Sequence, residues 1–251
     1  MCTLIAAIGV FDDVDLLVAA NRDERLDRPA DPPRLHRQRP LPVVAPIDRQ
    51  AGGTWWGLNA AGLFVGITNR FGTSPPDPGR RSRGQLVFTA LEQRRPAEAA
   101  ARIAALEPTA YNRFHLLLAD RGSAELVVGD GERLWRRSLG PGSHVLTERS
   151  LGAGSAEREA WLRERLAAWA AADRAPAVAE LRRLLAFHHP DDPFAGTCVH
   201  APWLGYGTRS SSLLWLGRDP AAGRLECSDG PPCRRGYGDR SHLLRALFAA
   251  G

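Results

Sequence analysis

The order of elements in this 251-residue sequence predicts an α+β chain, with sheets covered by helices in one domain. Three observations carry that expectation. Apolar runs with strand alternation come in clusters along the chain. Pairs of helical segments stand between the clusters, without strict strand–helix–strand alternation. No internal repeat interrupts the order, and no linker is long enough to separate two domains.

Taken in turn, "CTLIAAIGVF" (2–11) reads as a first strand and "DLLVAA" (15–20) as a second. Asp12-Asp13 make the turn of a hairpin between them. The Pro- and Arg-rich stretch from Pro29 to Pro46 excludes regular structure and reads as a surface loop or flap. In "GGTWWGLNAAGLFVGITNRFG" (52–72) two apolar segments flank the turn "NAAG". Alternation puts Trp56 and Leu58 on one face and Trp55 on the other, and groups Val65, Ile67 and Asn69 in the partner strand. A second loop (72–82) leads into helix over 83–95 and, with Pro96 in the first turn, into another over 97–107. Residues 114–120, 124–130 and 133–138 read as short strands. A helix over 155–171, with Ser155 as N-cap, lines up Trp161, Leu162, Leu166 and Trp169. A helix over 176–188 turns Val178, Leu181, Leu184 and Leu185 inward. "TCVHAPW" (197–203), "TRSSSLLWLG" (208–217) and "GRLECS" (223–228) read as strands, and "SHLLRALFAA" (241–250) as a closing helix or edge segment.

The composition, 44% hydrophobic and 24% charged, is that of an ordinary globular protein. No apolar run has the length of a membrane span, and the N-terminus lacks a secretory h-region, so a cytoplasmic protein is expected. The formal net charge is +5 and every basic side chain is Arg, the coding bias of a GC-rich genome. The arginines are interleaved with acids, which argues against a nucleic-acid partner. For the densest run, "GRRSRG" (79–84), a solvated loop is the plain reading and an anion site the other. Cys2, Cys198, Cys227 and Cys233 form no CxxC pair. Cys227 and Cys233 are close enough in sequence to meet across "SDGPP", yet free thiols are expected in a reducing compartment. No Cys/His spacing matches a structural zinc site, so no metal ligand is nominated.

Cys2 is the most informative residue. Initiator Met is removed before a small second residue, and a chain beginning with Cys carries a thiol and a free α-amine on one carbon. That amine, with an ordinary pKa of about 7.7–8.0, serves as a base near neutrality without a His. The plain reading of Cys2 is a small hydrophobe at a strand start. "MCT", two strands and then "NRDE" (21–24) closely resemble the NRDE family, also called the transport and Golgi organisation protein 2 family. The likeness continues through "GGTWWGLNAAGLFVGITN", "RSRGQLV", "YNRFHLLLAD", "HVLTERS" and "GYGTRSSSLLWL".

That family is similar in turn to N-terminal nucleophile hydrolases of the penicillin V acylase and bile salt hydrolase branch. The resemblance implies a four-layer αββα sandwich, two antiparallel sheets between helix layers, and amide or thioester hydrolysis or acyl transfer by Cys2. By position, Arg22 and Asp23 support the nucleophile. A cation at Arg22 favours thiolate, lowering the Cys pKa. Glu24 is the alternative acid if the register moves by one residue, and Asn21 a further polar partner. Asn69 matches an oxyanion-hole Asn; a strand-ending Asn in a turn is its plain reading. "HVLTERS" puts Glu148 where related members often carry Asn, and a carboxylate there repels an oxyanion unless protonated. Either Thr147 or a backbone N–H substitutes, or hydrolysis is not the activity. Arg209 in "GTRSSS" offers positive charge to the same pocket or is a strand-pairing Arg.

The family has also been linked to haem trafficking and to acyl-CoA and lipid metabolism. The competing class is therefore a non-catalytic carrier, its cargo haem or an acyl-CoA-type lipid, in a pocket edged by Trp55, Trp56 or Trp203. No cofactor is called for, and no haem attachment motif, P-loop, GxGxxG, HExxH or GxSxG is present. His188-His189 are expected to cap helix carbonyls rather than bind metal. The sequence implies a small-molecule substrate or cargo and leaves its identity and the oligomeric state open.

Overall fold

The computed structural model describes residues 2–154, 157–172 and 175–249; the N-cap assigned to Ser155 lies outside them. The N-terminal apolar run forms β1 (Cys2–Phe11), and the chain reverses at Asp12-Asp13 into β2 (Val14–Arg25). The stretch expected to be a loop instead carries β3 (Ala30–His36) and β4 (Val43–Asp48). Pro32 and Pro33 fall inside a register shift between Asp31 and Arg34, on the edge strand of the sheet, where a missing N–H breaks no ladder. Val43, Val44 and Ala45 supply the buried side.

β5 (Trp56–Asn59) and β6 (Phe64–Asn69) form the expected hairpin. Its turn is locked by Asn59, which is fully buried. The Asn59 side chain donates to the carbonyls of Leu91 (2.9 Å) and Gln93 (2.7 Å) and accepts from the N–H groups of Ala61 and Leu63, both at 3.0 Å. Asn59→Ala strands these groups in the interior. It is expected to lower unfolding free energy by about 3 kcal/mol, read as a fall in urea midpoint at unchanged m-value.

α1 (Gly84–Ala90) stops five residues short of its predicted end, and α2 (Pro96–Ala104) starts on its proline as expected. β7 (Phe114–Ala119), β8 (Ala124–Gly129) and β9 (Leu134–Leu139) complete an antiparallel sheet in the order β3-β4-β5-β6-β7-β8-β9. β10 (Gly142–Leu146), not anticipated as a strand, pairs with the outer edge of β1. After α3 (Glu157–Ala171) and α4 (Val178–Leu185), "TCVHAPW" yields only β11 (His200–Ala201) before Pro202 begins a single 3-10 turn. β12 (Tyr206–Leu216), β13 (Arg224–Ser228) and β14 (Gly238–Asp239) complete the other sheet, β10-β1-β2-β12-β13-β14, with β11 on β12. The closing segment is α5 (His242–Phe248).

Period-two alternation gives each sheet two apolar faces. Leu4, Ile8, Val18, Trp56, Phe64, Leu117 and Leu214 pack between the sheets. Val65, Leu116 and Val127 meet α1 and α2 through Leu86 and Ile103; Ile5, Leu17 and Leu213 meet α3 and α4 through Leu162, Leu166 and Leu181. The result is the αββα layering. Trp55 departs from its expected face: it precedes β5, so alternation does not bind it, and it rests against the inter-sheet cluster. Gly66 lets the sheets close up beside the N-terminus, since a Cβ there would stand 2.9 Å from Leu4 Cδ2.

Candidate active site

Antiparallel pairing sets Cys2 directly opposite Arg22 and Thr3 opposite Asn21. Alternation along β2 then splits "NRDE" between two faces. Asn21 turns to the helix layer, where its amide donates to the carbonyls of Leu185 (2.8 Å) and Thr197 (2.7 Å), so it fastens α4 rather than joining Cys2. Arg22 is buried, with its guanidinium carbon 4.3 Å from the centre of the Trp55 ring. It lies 3.8 Å from Glu24 and 4.0 Å from Asp48. Arg28 holds the same two acids, at 3.4 Å and 2.5 Å. The acids that partner Arg22 are therefore Glu24 and Asp48.

Asp23 is 3% exposed and binds elsewhere. Its Oδ1 accepts from Thr208 Oγ1 at 2.5 Å, and its backbone carbonyl accepts from the Tyr206 hydroxyl at 2.6 Å. Burial pushes its carboxyl pKa up to about 6, against the pull of the positive chain terminus, Arg158 and the Thr208 bond. The Cys2 thiol is also displaced upward, chiefly by burial and further by the Asp23 charge; the positive chain terminus, the Asp23 backbone N–H and Arg22 act the other way. Arg22 thus pulls in the expected direction, but burial outweighs it and the net displacement is upward. A guanidinium already shared between two carboxylates does not offset the desolvation of the sulfur, so the resting form is the thiol and reaction requires a base.

Glu148 follows β10 and is buried against an equally buried Arg158, Nη2 to Oε2 2.5 Å. Its negative charge is thus matched inside the protein. Thr147 is occupied by its own turn: its Oγ1 accepts from the Arg149 N–H at 3.1 Å and its N–H donates to Ser150 Oγ at 2.9 Å. Asn69, exposed at the end of β6, shares a cleft of about 360 Å³ with Arg70, Arg83, Arg113 and Glu148. A second cleft, about 210 Å³, is lined by Arg22, Trp55, Arg209 and Ser210. There the Arg209 Nε is buried without a hydrogen-bond partner. Trp56 faces neither cleft; it stacks on Phe64 in the core and its indole N–H donates to Ser212 Oγ at 3.1 Å.

Cys2, Arg22, Asp23 and Glu24 therefore gather at one end of the first sheet. Trp55 and Arg209 edge the cleft beside Arg22, Asn69 and Glu148 edge the other, and Asn21 and Trp56 point away. Sequence reasoning missed Asp48, Arg158, Tyr206, Thr208 and above all Arg83. A Cβ on Gly53 would come within 2.6 Å of the Gly84 carbonyl carbon, and Thr54 N–H donates to Gly84 O at 3.2 Å. That glycine-on-glycine crossing carries the adjoining Arg83 inward, where Nη1 donates to the Arg113 carbonyl at 3.0 Å. Burial lowers its pKa, opposed first by Cys2 and then by Glu24, which places its charge within range of the thiol. Only the glycine beside "RSR" hinted that this run was more than a solvated loop.

All four cysteines are free, as expected. Cys233 stands not by Cys227 but 3.7 Å from Cys198. His188, Cys198, His200 and Cys233 each bring a ligand atom within 4.8 Å of the others, a set that no local spacing announces because three separate segments supply it. His189 accepts from the N–H groups of Asp191 and Asp192 instead of capping carbonyls.

A sequence profile described as Transport and Golgi organisation 2 matches residues 1–226. The Transport and Golgi organization 2 homolog of Mus musculus is 28% identical over 113 residues, which span 44% of this chain and 40% of the mouse protein. Among solved structures, a mutant of the conjugated bile acid hydrolase of Clostridium perfringens superposes with a TM-score of 0.54 at 12% identity, covering 96% of this chain and 93% of that one. The Caenorhabditis elegans ortholog of N-acylethanolamine-hydrolyzing acid amidase gives 0.56 at 11%, covering 85% and 92%. At these identities the likeness is one of fold. No helix among the described residues is long and apolar enough to cross a membrane.

Proposed function

We propose that this chain, which belongs to the Transport and Golgi organisation 2 family, cleaves or transfers acyl groups from amides or thioesters through the thiol of Cys2, exposed at a new N-terminus by removal of Met1. The carrying observation is the register that sets Cys2 opposite Arg22, which itself lines the cleft shared with Trp55 and Arg209. The α-amine of Cys2 takes the thiol proton as sulfur attacks the acyl carbon. Collapse breaks the C–N or C–S bond, and the same amine returns the proton to the leaving group. Water or a second nucleophile then releases the acyl group from sulfur. The raised thiol pKa makes that base necessary.

Asn69 and Arg83 are the donors proposed for the oxyanion. Arg158 answers the objection that Glu148 raises, because the carboxylate is neutralised before an oxyanion forms. Two of the structural neighbours are named for hydrolysing a conjugated bile acid and N-acylethanolamines. Arg70, Arg83 and Arg113, in the cleft of Asn69 where the lining acid, Glu148, is already paired with Arg158, favour an acyl compound that bears an anionic group. The carrier reading rests on the same clefts and on a thiol that is protonated at rest; it predicts binding of haem or an acyl-CoA-type lipid that survives Cys2→Ala.

Intact-mass measurement of the chain made in cells is the first test. The expected mass lacks Met1. A fully Met1-bearing population that still turns over acyl substrates would remove the N-terminal mechanism.

A further inference from the structure

We propose that His188, Cys198, His200 and Cys233 hold a tetrahedral zinc ion, a site separate from Cys2 and independent of the acyl-transfer reading. The four ligand atoms all lie within 4.8 Å of one another. Cys198 Sγ is 3.7 Å from Cys233 Sγ and 3.7 Å from His200 Nε2, and His200 Nε2 is 3.1 Å from Cys233 Sγ. The rings of His188 and His200 are tilted by 43° with centroids 5.0 Å apart, so they lie side by side without stacking. A tetrahedron built on Zn–S of about 2.3 Å and Zn–N of about 2.0 Å separates its ligand atoms by about 3.3–3.8 Å. The set is therefore close to the size that zinc requires before any ion draws it in.

The ligand chemistry narrows the choice of metal. Two thiolates and two imidazoles suit a borderline ion of tetrahedral preference, and they exclude the hard, oxygen-seeking cations. Four protein ligands close the coordination shell, which marks a structural site rather than a catalytic one. Cys198 is buried, His200 half-buried, and His188 and Cys233 face solvent, so the ion has a path of entry.

The placement of the site gives the ion a task. His188 follows α4, Cys198 and His200 flank Val199 ahead of β12, and Cys233 lies in the loop between β13 and β14. Zinc would bind these three segments to each other. Val199 N–H donates to Thr208 Oγ1 at 2.8 Å, and Thr208 in turn donates to Asp23 at 2.5 Å. Thr197, next to Cys198, gives its carbonyl to Asn21 at 2.7 Å. The segment that carries two ligands thus also anchors both residues of "NRDE" that face the helix layer.

The test uses the full-length chain, expressed with zinc in the medium and purified without chelator. Elemental analysis should find about one zinc per chain. Cys233→Ser, at an exposed position, and His188→Ala should each lose most of it, and Cys227→Ala should keep it. Cobalt added to metal-stripped wild-type protein should give the intense visible bands of a tetrahedral ion with a thiolate charge-transfer band, a readout that needs no variant to fold. Any one of three results overturns the site: near-zero zinc with no tetrahedral cobalt spectrum, equal zinc in wild type and Cys233→Ser, or a Cys198–Cys233 disulfide mapped in freshly purified, non-reduced protein.

Discussion

Cys2→Ala should lower the turnover of acyl-amide or acyl-thioester substrates by about 10³-fold or more while leaving the urea midpoint nearly unchanged. The asymmetry follows from position. Cys2 is the first residue of β1, where Ala keeps the backbone pairing with Arg22, yet on the proposed mechanism it alone forms the covalent intermediate. An electrophilic acyl probe followed by peptide mapping gives a second readout, with label on Cys2 expected to vanish in Cys2→Ala and weaken in Arg22→Ala. The pH dependence carries the sign of the thiol shift. Because burial raises the thiol pKa, the Met1-bearing chain should label slowly at neutral pH and faster as pH rises. The Met1-free chain should already label well near pH 8, since its α-amine, with an ordinary pKa of about 7.7–8.0, takes the thiol proton. Equal labelling of Cys198 or Cys227, both buried, would remove the special status of Cys2.

The layers were legible in the sequence because alternation and helical spacing survive any detail of packing. The β1–β2 hairpin, the "NAAG" turn and the apolar faces of α3 and α4 follow from it directly. The stretch from Pro29 to Pro46 misled because proline is read as a breaker, whereas on an edge strand with a bulge it costs no hydrogen bond. Within the site, "NRDE" was visible as a cluster but not as a division. Strand alternation sends Arg22 toward Glu24 and Asp48 and Asp23 toward Thr208, and no local pattern names Asp48 or Thr208 as the partners. Arg83 and the His188–Cys233 set were hidden for the same reason. Their neighbours come from other segments, brought together by a glycine crossing in the first case and by three loops in the second.

Arg158→Ala is expected to destabilise the fold by about 3–5 kcal/mol, the largest stability effect of any single change considered, because it leaves Glu148 charged and buried without its cation. Glu148→Gln should cost less, since Arg158 keeps the Gly196 carbonyl at 3.2 Å. Glu148→Gln/Arg158→Gln should recover much of the loss, because neither charge is then stranded; a double-mutant cycle in urea isolates the coupling. The same change reaches the site through Asp23. Its carboxyl titrates near 6 in the fold, against about 3.9 in an unfolded chain, so the folded state holds the proton more tightly between those values. Stability therefore falls as pH rises from about 4 to about 6, by an amount on the order of 3 kcal/mol from this group, and the loss stays in place above that window. Arg158 is one of the groups that pull the Asp23 pKa down, so Arg158→Ala should carry the falling limb to higher pH. Asp23→Asn should flatten it in either background. Urea midpoints at pH 5 and pH 7.5 decide the matter: an unchanged pH slope in Asp23→Asn would mean that Asp23 is not the group that titrates. An unchanged midpoint in Arg158→Ala would mean that the Glu148–Arg158 pair is not closed in the protein.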